Sequence, residues 1–499
     1  MRLFVSHPLR AWLVVVATLL AHTAIASVCQ DCMDARCLQK KPVDCSANAT
    51  QLSAASEVFA EGSKITLNKP SLGKRDEGFP HEPAPDDPKI SIRFHCSAEH
   101  ANQQCDNVQK SLTKAIGYLE DILALKESLA IDVKYFSYCS TYKKCNVDDV
   151  SAYGHAYPAR SAVVVDQEGH LRLYPQPLIK QLDMYNPPSF ANVDILAAFN
   201  SDIDYWFESE GTDIQPNQTD FELAVCREIL HGLGLISQWD MYFGDKGTVL
   251  TPNPFSLDVD LTMPNKPFSV NSFLESAFDQ YLVEKSNGKP LYFHAERMNQ
   301  FLHGNSTGSS GAGNRVEFQS QMDFKKKFMA SDVQPIARHV MDLATTPRSI
   351  VFVPHNEIIG LNETTASDSA DPFYVETTII PFRSEESLSH LDSDVFKDTA
   401  NFVYQIEIRQ GVSLTSLIAR YTNDTNNPYG PAILTILNTM GYAVKGKLPR
   451  DINVTLANLS IPSGQRGVDP LNGSPQHTAP LWSSLLSVAI VVMMTSAQS

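Results

Sequence analysis

The stretch Arg227-Glu-Ile-Leu-His231-Gly-Leu-Gly234 holds the residue types best suited to chemistry. In H-E-x-x-H, two histidines four apart on one helix face bind Zn²⁺, and the glutamate between them acts on the metal-bound water. Glu228 and the second histidine, His231, are present, but Arg227 stands where the first histidine belongs. A guanidinium stays charged and has no free lone pair, so it cannot replace imidazole as a ligand. In a buried site it also repels a dication. The centre is therefore either lost or completed by ligands from elsewhere. Adjacent helix residues point apart, so Arg227 is expected to pair with a distant carboxylate such as Asp240 or Asp392, and not with Glu228.

The elements around this stretch follow from periodicity. Ile90 to Phe94 alternates like a strand, Val108 to Leu125 repeats like a helix, and Ile131 to Tyr138 alternates again. Two further strand-like runs cover Ala162 to Val165 and Asp194 to Phe199, and a helix over Phe221 to Leu233 carries the motif, ending near Gly234. Leu414 to Tyr421 and Pro431 to Tyr442 read as later helices. The fold class is α/β in the α+β sense, with a twisted mixed sheet. The main domain is expected over 90–445, with an insertion at about 240–385 that includes a Gly/Ser-rich loop, 303–314.

The ends of the chain set its cellular route. An apolar run from Ala11 to Ala21, flanked by Arg2 and Arg10 and followed by Ala24-Ile-Ala26, reads as a secretory signal over 1–26. Residues 27–89 form a cysteine-bearing leader and a proline- and acid-rich linker, in which Lys74-Arg75 invites cleavage. A stalk over 446–474 precedes small residues at Asn472-Gly-Ser474, a short spacer and an apolar tail over 475–499. This is the pattern of glycosylphosphatidylinositol (GPI) attachment, with Asn472 as the site and the tail removed. Asn48, Asn217, Asn305, Asn362, Asn423, Asn453, Asn458 and Asn472 begin glycosylation sequons.

Nine cysteines fit an oxidising compartment. Cys96/Cys105 and Cys139/Cys145 are plausible local disulfides, and Cys226 reads as a core thiol. A net charge of −16 argues against nucleic acid or an anionic membrane surface as a partner. Contact with the membrane is expected through the lipid anchor only, on a cell-surface glycoprotein.

Glu228-Ile-Leu-His231-Gly-Leu-Gly234, then Ser387-Leu-Ser-His390-Leu-Asp392, then Pro431 to Tyr442, resembles secreted zincin metallopeptidases of the leishmanolysin and metzincin groups, including fungal GPI-anchored surface members. The resemblance implies a zincin-like domain with a twisted sheet, an active-site helix and a C-terminal subdomain. It makes Glu228 the general base, His231 a zinc ligand and Gly234 the turn after the helix. Close metzincin spacing requires a third histidine at position 237, which is Ser237, so His390 becomes the downstream candidate. Near Phe402 and Val403, the turn that carries methionine in many relatives holds Tyr404. His294, His303, His339 and His355 have no comparable context. The leading expectation is a degenerate metallopeptidase-like protein that binds a protein or peptide ligand, with no cofactor. The alternatives are an active zinc endopeptidase using His231, His390 and a further ligand, and a cell-wall adhesion or structural glycoprotein without enzymatic activity.

Overall fold

The computed structural model describes residues 89–97, 102–142, 153–243, 248–255, 268–303, 317–354, 373–422 and 426–457. The expected signal, the cysteine-bearing leader, the Lys74-Arg75 pair, the apolar tail and the sequons at Asn48, Asn305, Asn362, Asn423, Asn458 and Asn472 lie outside these residues. Asn217 and Asn453 lie within them, and both are exposed.

The first half of the chain gives β1 (Ile90–Cys96), α1 (Asn102–Ile122), β2 (Leu129–Phe136), β3 (Gly154–Pro158), β4 (Ser161–Val165), β5 (Leu171–Pro175) and β6 (Ile195–Asn200). Next come α2 (Phe221–Gly232), β7 (Asn253–Phe255), β8 (Ser272–Ser276), β9 (Leu282–Glu284) and α3 (Tyr292–His303). The chain closes with α4 (Gln334–Ala344), β10 (Ile350–Phe352), β11 (Phe373–Tyr374), α5 (Leu414–Tyr421), α6 (Pro431–Met440) and β12 (Thr455–Leu456). The fold is mixed α+β, with several sheets.

The first sheet has the order β1-β2-β6-β3, in which β1, β2 and β6 are parallel and β3 runs antiparallel to β6. β2 and β6 are interior and read as nearly continuous buried runs, as parallel strands covered on both faces must. The 3.6-residue repeat of α1 brings Val108, Leu112, Ala115 and Leu119 onto one buried face. The motif helix α2 packs against α1, β3 and β6.

The second sheet has the order β12-β4-β5-β8-β7, and it corrects two expectations. First, the interval 240–385 is woven into the domain, because β8 pairs in parallel with β5, with Glu275 opposite Arg172. The buried Arg172 guanidinium holds Asp166 and Glu275 at 2.6 Å each, and the second Glu275 oxygen accepts from Trp239 Nε1 at 2.9 Å. Second, the packed unit runs past 445, because Thr455 and Leu456 pair with Val165 and Val164 and bring Ile452 and Val454 into the core. Polar residues around these two had hidden a short edge strand. A third sheet, β9-β10-β11, is antiparallel.

A disulfide joins Cys96 at the end of β1 to Cys105 in α1. Cys139 is also disulfide-bonded, while Cys145 lies outside the described residues. Cys226 is buried and free, with its thiol pushed up by burial. Among the described residues, no helix is long and apolar enough to cross a membrane.

Candidate functional site

Every residue of α2, from Phe221 to Gly232, is buried, including Glu222, Arg227, Glu228 and His231. Charged side chains in such a position must be paired or neutralised. The helix starts at Asp220, whose carboxylate accepts from Leu223 N at 3.2 Å and from Leu414 N at 2.7 Å, tying the start of α5 to the start of α2. It ends in a Schellman arrangement in which Leu235 N donates to Leu230 O and Gly234 N to His231 O. Gly234 has φ +98°, and a Cβ there would lie 2.5 Å from Pro175 Cγ. This turn aims Leu235 O back at the helix, where it lies 2.9 Å from His231 Nδ1 and accepts from Tyr404 Oη at 2.5 Å.

Arg227 is the hub. Its Nη1 donates to Glu228 Oε1, its Nη2 to Glu386 Oε2 at 2.9 Å, and its Nε to Gln405 O at 2.7 Å. Both details correct the sequence expectation. Neighbouring helix positions do diverge, but the long arginine stem lets the guanidinium fold back onto Glu228. The second partner is Glu386, while Asp392 caps the short helix Ser393–Phe396 and Asp240 accepts from Ser384 Oγ at 2.5 Å. Burial opposes the charge on Arg227, and the two carboxylates overcome it and raise its pKa. Burial pushes Glu228 up to about 7 against the pull of Arg227, and it also raises Glu386. One guanidinium facing two carboxyls in a dry pocket favours a proton on one of the two acids.

The structure brings His231 and His390 together, with their Nε2 atoms 3.0 Å apart and their rings edge to face. His390 Nδ1 lies 2.9 Å from Glu386 O, just as His231 Nδ1 faces Leu235 O. Both Nδ1 atoms are thus set to donate to carbonyls, which turns both Nε2 lone pairs towards one point. Burial and then Arg227 lower both histidines, His231 to about 4 and His390 well below its ordinary value. The ring of Tyr404 packs against both imidazoles. The segment that presents His390 is strained, with Glu385 at φ +69° and Leu388 at +63°.

Two converging nitrogens whose far sides are held by carbonyls are part of what a zinc centre needs. A catalytic zinc takes three protein ligands. The third position of the motif belongs to Arg227, which offers no lone pair, and the Ser237 hydroxyl is engaged elsewhere, with its Oγ accepting from Trp239 N at 3.1 Å and its side chain hydrogen-bonded to Asp279. The donor set therefore does not fit the three-ligand centre. A small cleft lined by Leu223, Phe402, Val403 and Leu417 reaches Arg227.

A family model described as SPBPB7E8-like matches residues 84–467. The chain belongs to that family. The uncharacterized protein PB7E8.01 of Schizosaccharomyces pombe is 25% identical to this SPBPB7E8-like chain over 407 residues, 77% of this chain. The chain spans 66% of that relative's length, slightly under two thirds. No solved structure matches.

Sequence reasoning missed Glu386 and the carbonyl of Gln405. A signal for Glu386 was available, since it lies four residues before His390 and directly before the Ser387-to-Asp392 segment. Nothing in the sequence marks a backbone carbonyl as an acceptor for a guanidinium.

Proposed function

We propose that this chain is a secreted, GPI-anchored surface protein with a zincin-like domain whose peptidase centre has been replaced by an arginine joint, and that it acts by binding a protein or peptide partner. The pairing of Arg227 with both Glu228 and Glu386 carries this reading. The carboxylate that resembles the general base is engaged by a fixed cation, so it is not free to take a proton from water. The buried surroundings of α2 support the same conclusion.

The decisive assay measures peptide cleavage by the purified ectodomain, with and without added Zn²⁺. We expect no cleavage above background. Chelator-sensitive cleavage that disappears in Glu228→Gln would overturn the reading. A constructive companion is Arg227→His, which supplies the missing ligand to His231 and His390 and is expected to create a new zinc site. Failure to gain zinc would show that His231 and His390 cannot serve as its partners. Release from cells by a phosphatidylinositol-specific phospholipase tests the anchor.

A further inference from the structure

Away from α2, three ligand-bearing side chains from three elements meet. Glu284 ends β9, His294 lies in the first turn of α3, and His339 lies on α4, which packs against α3. One ligand atom from each falls within 4.8 Å of the others. Glu284 Oε1 is 2.5 Å from His294 Nε2, and Glu284 Oε2 is 3.6 Å from His339 Nε2. Asn287, in the turn after β9, donates Nδ2 to Glu284 Oε2 at 2.8 Å and accepts from Lys289 N, fixing the carboxylate from behind.

A structural hydrogen bond requires only Glu284 and His294, which are 2% and 6% exposed. It does not explain why His339, with half of its side chain exposed, turns Nε2 towards the second oxygen of the same carboxylate. Two imidazole nitrogens around one buried carboxylate, with a side open to water, form the donor set of a borderline divalent ion. The other clustered group, Asp166, Glu168 and His170, lacks this character because the Arg172 guanidinium already occupies Asp166 Oδ2 at 2.6 Å.

We propose that Glu284, His294 and His339 form a binding site for one borderline divalent cation, with Zn²⁺ as the preferred ion and water completing the coordination on the His339 side. Ligand distances of about 2.0–2.2 Å require the Glu284–His294 contact to open and the His294 proton to leave Nε2 for Nδ1 or for solvent. His339 closes in from the surface. This site is independent of the Arg227 joint, and its ligands come from the interval that links the first sheet to the C-terminal helices.

Titration of the purified ectodomain with Co²⁺, followed by its visible d–d absorption, and with Zn²⁺ by calorimetry tests the site. One saturable ion per chain is expected. His339→Ala, a change at a half-exposed position that leaves the core intact, is expected to weaken binding by roughly tenfold or more, and Glu284→Gln to weaken it further. Absence of saturable binding would overturn the proposal, as would wild-type affinity in His339→Ala.

Discussion

Arg227 sets the task of its neighbours, because Glu228 and Glu386 share its guanidinium. Truncating Arg227 to alanine leaves two buried carboxyls without their cation, so it is expected to cost about 3–5 kcal/mol by chemical denaturation. Replacing Arg227, Glu228 and Glu386 together with apolar residues of similar volume is expected to cost far less, because a buried ion network stabilises little relative to good packing. The joint also sets a pH dependence. Folded Glu228 keeps its proton up to about pH 7, and the unfolded chain releases it near the ordinary carboxyl value. That contribution is complete below the ordinary value and is lost as pH rises through about 7. His231 acts in the opposite sense, but only below its ordinary value, because folding lowers it to about 4. Glu222 and Glu275 are also pushed up to about 7 by burial. Stability is therefore expected to fall between about pH 4.5 and pH 7 and to level off above that, and the fall is expected to be smaller in Glu228→Gln when denaturation midpoints are compared across that range. That Arg227 cannot ligate a metal was legible in the sequence from residue chemistry alone. The partners of Arg227 were not, because they depend on the reach of a long side chain and on a contact 159 residues away.

Elements were more legible than contacts. Helices α5 and α6 and strand β4 appear close to where periodicity put them, since each has a strong apolar repeat bounded by capping or turn residues. The end of α2 was readable from Gly232 and Gly234, but for two different reasons. Gly234 is required by its positive φ, whereas Gly232 is required by space, since a Cβ there would lie 2.4 Å from Ile195 Cγ2 on β6. Gly232→Ala is expected to push α2 off the sheet and cost about 1–3 kcal/mol. The double variant Gly232→Ala/Ile195→Ala is expected to be more stable than the sum of the two single effects predicts, which thermal melts of the three variants would show. Short strands such as β7 to β11 could not be read, because two to five residues carry too little periodicity and are defined by their partners.

For the whole molecule, the sequence placed the domain boundary too early. Ile452 and Val454 are buried, and Thr455 and Leu456 cover the edge of β4. A chain ending after Lys447 is expected to lose roughly 3–6 kcal/mol through the two apolar side chains alone, whereas one ending after Ala457 is expected to melt like the longer chain. Calorimetry on the two truncations decides this. Arg172, between Asp166 and Glu275, couples the first half of the chain to the interval after 240 in the same direct way. The joint at Arg227 has a further consequence for how the molecule tolerates its surroundings. A metal that ties three chain segments together can be stripped by a chelator or lost when supply is short. A guanidinium that ties α2 to Glu386 and Gln405 is encoded in the chain and cannot be removed, so this crossing point keeps its shape in metal-poor medium.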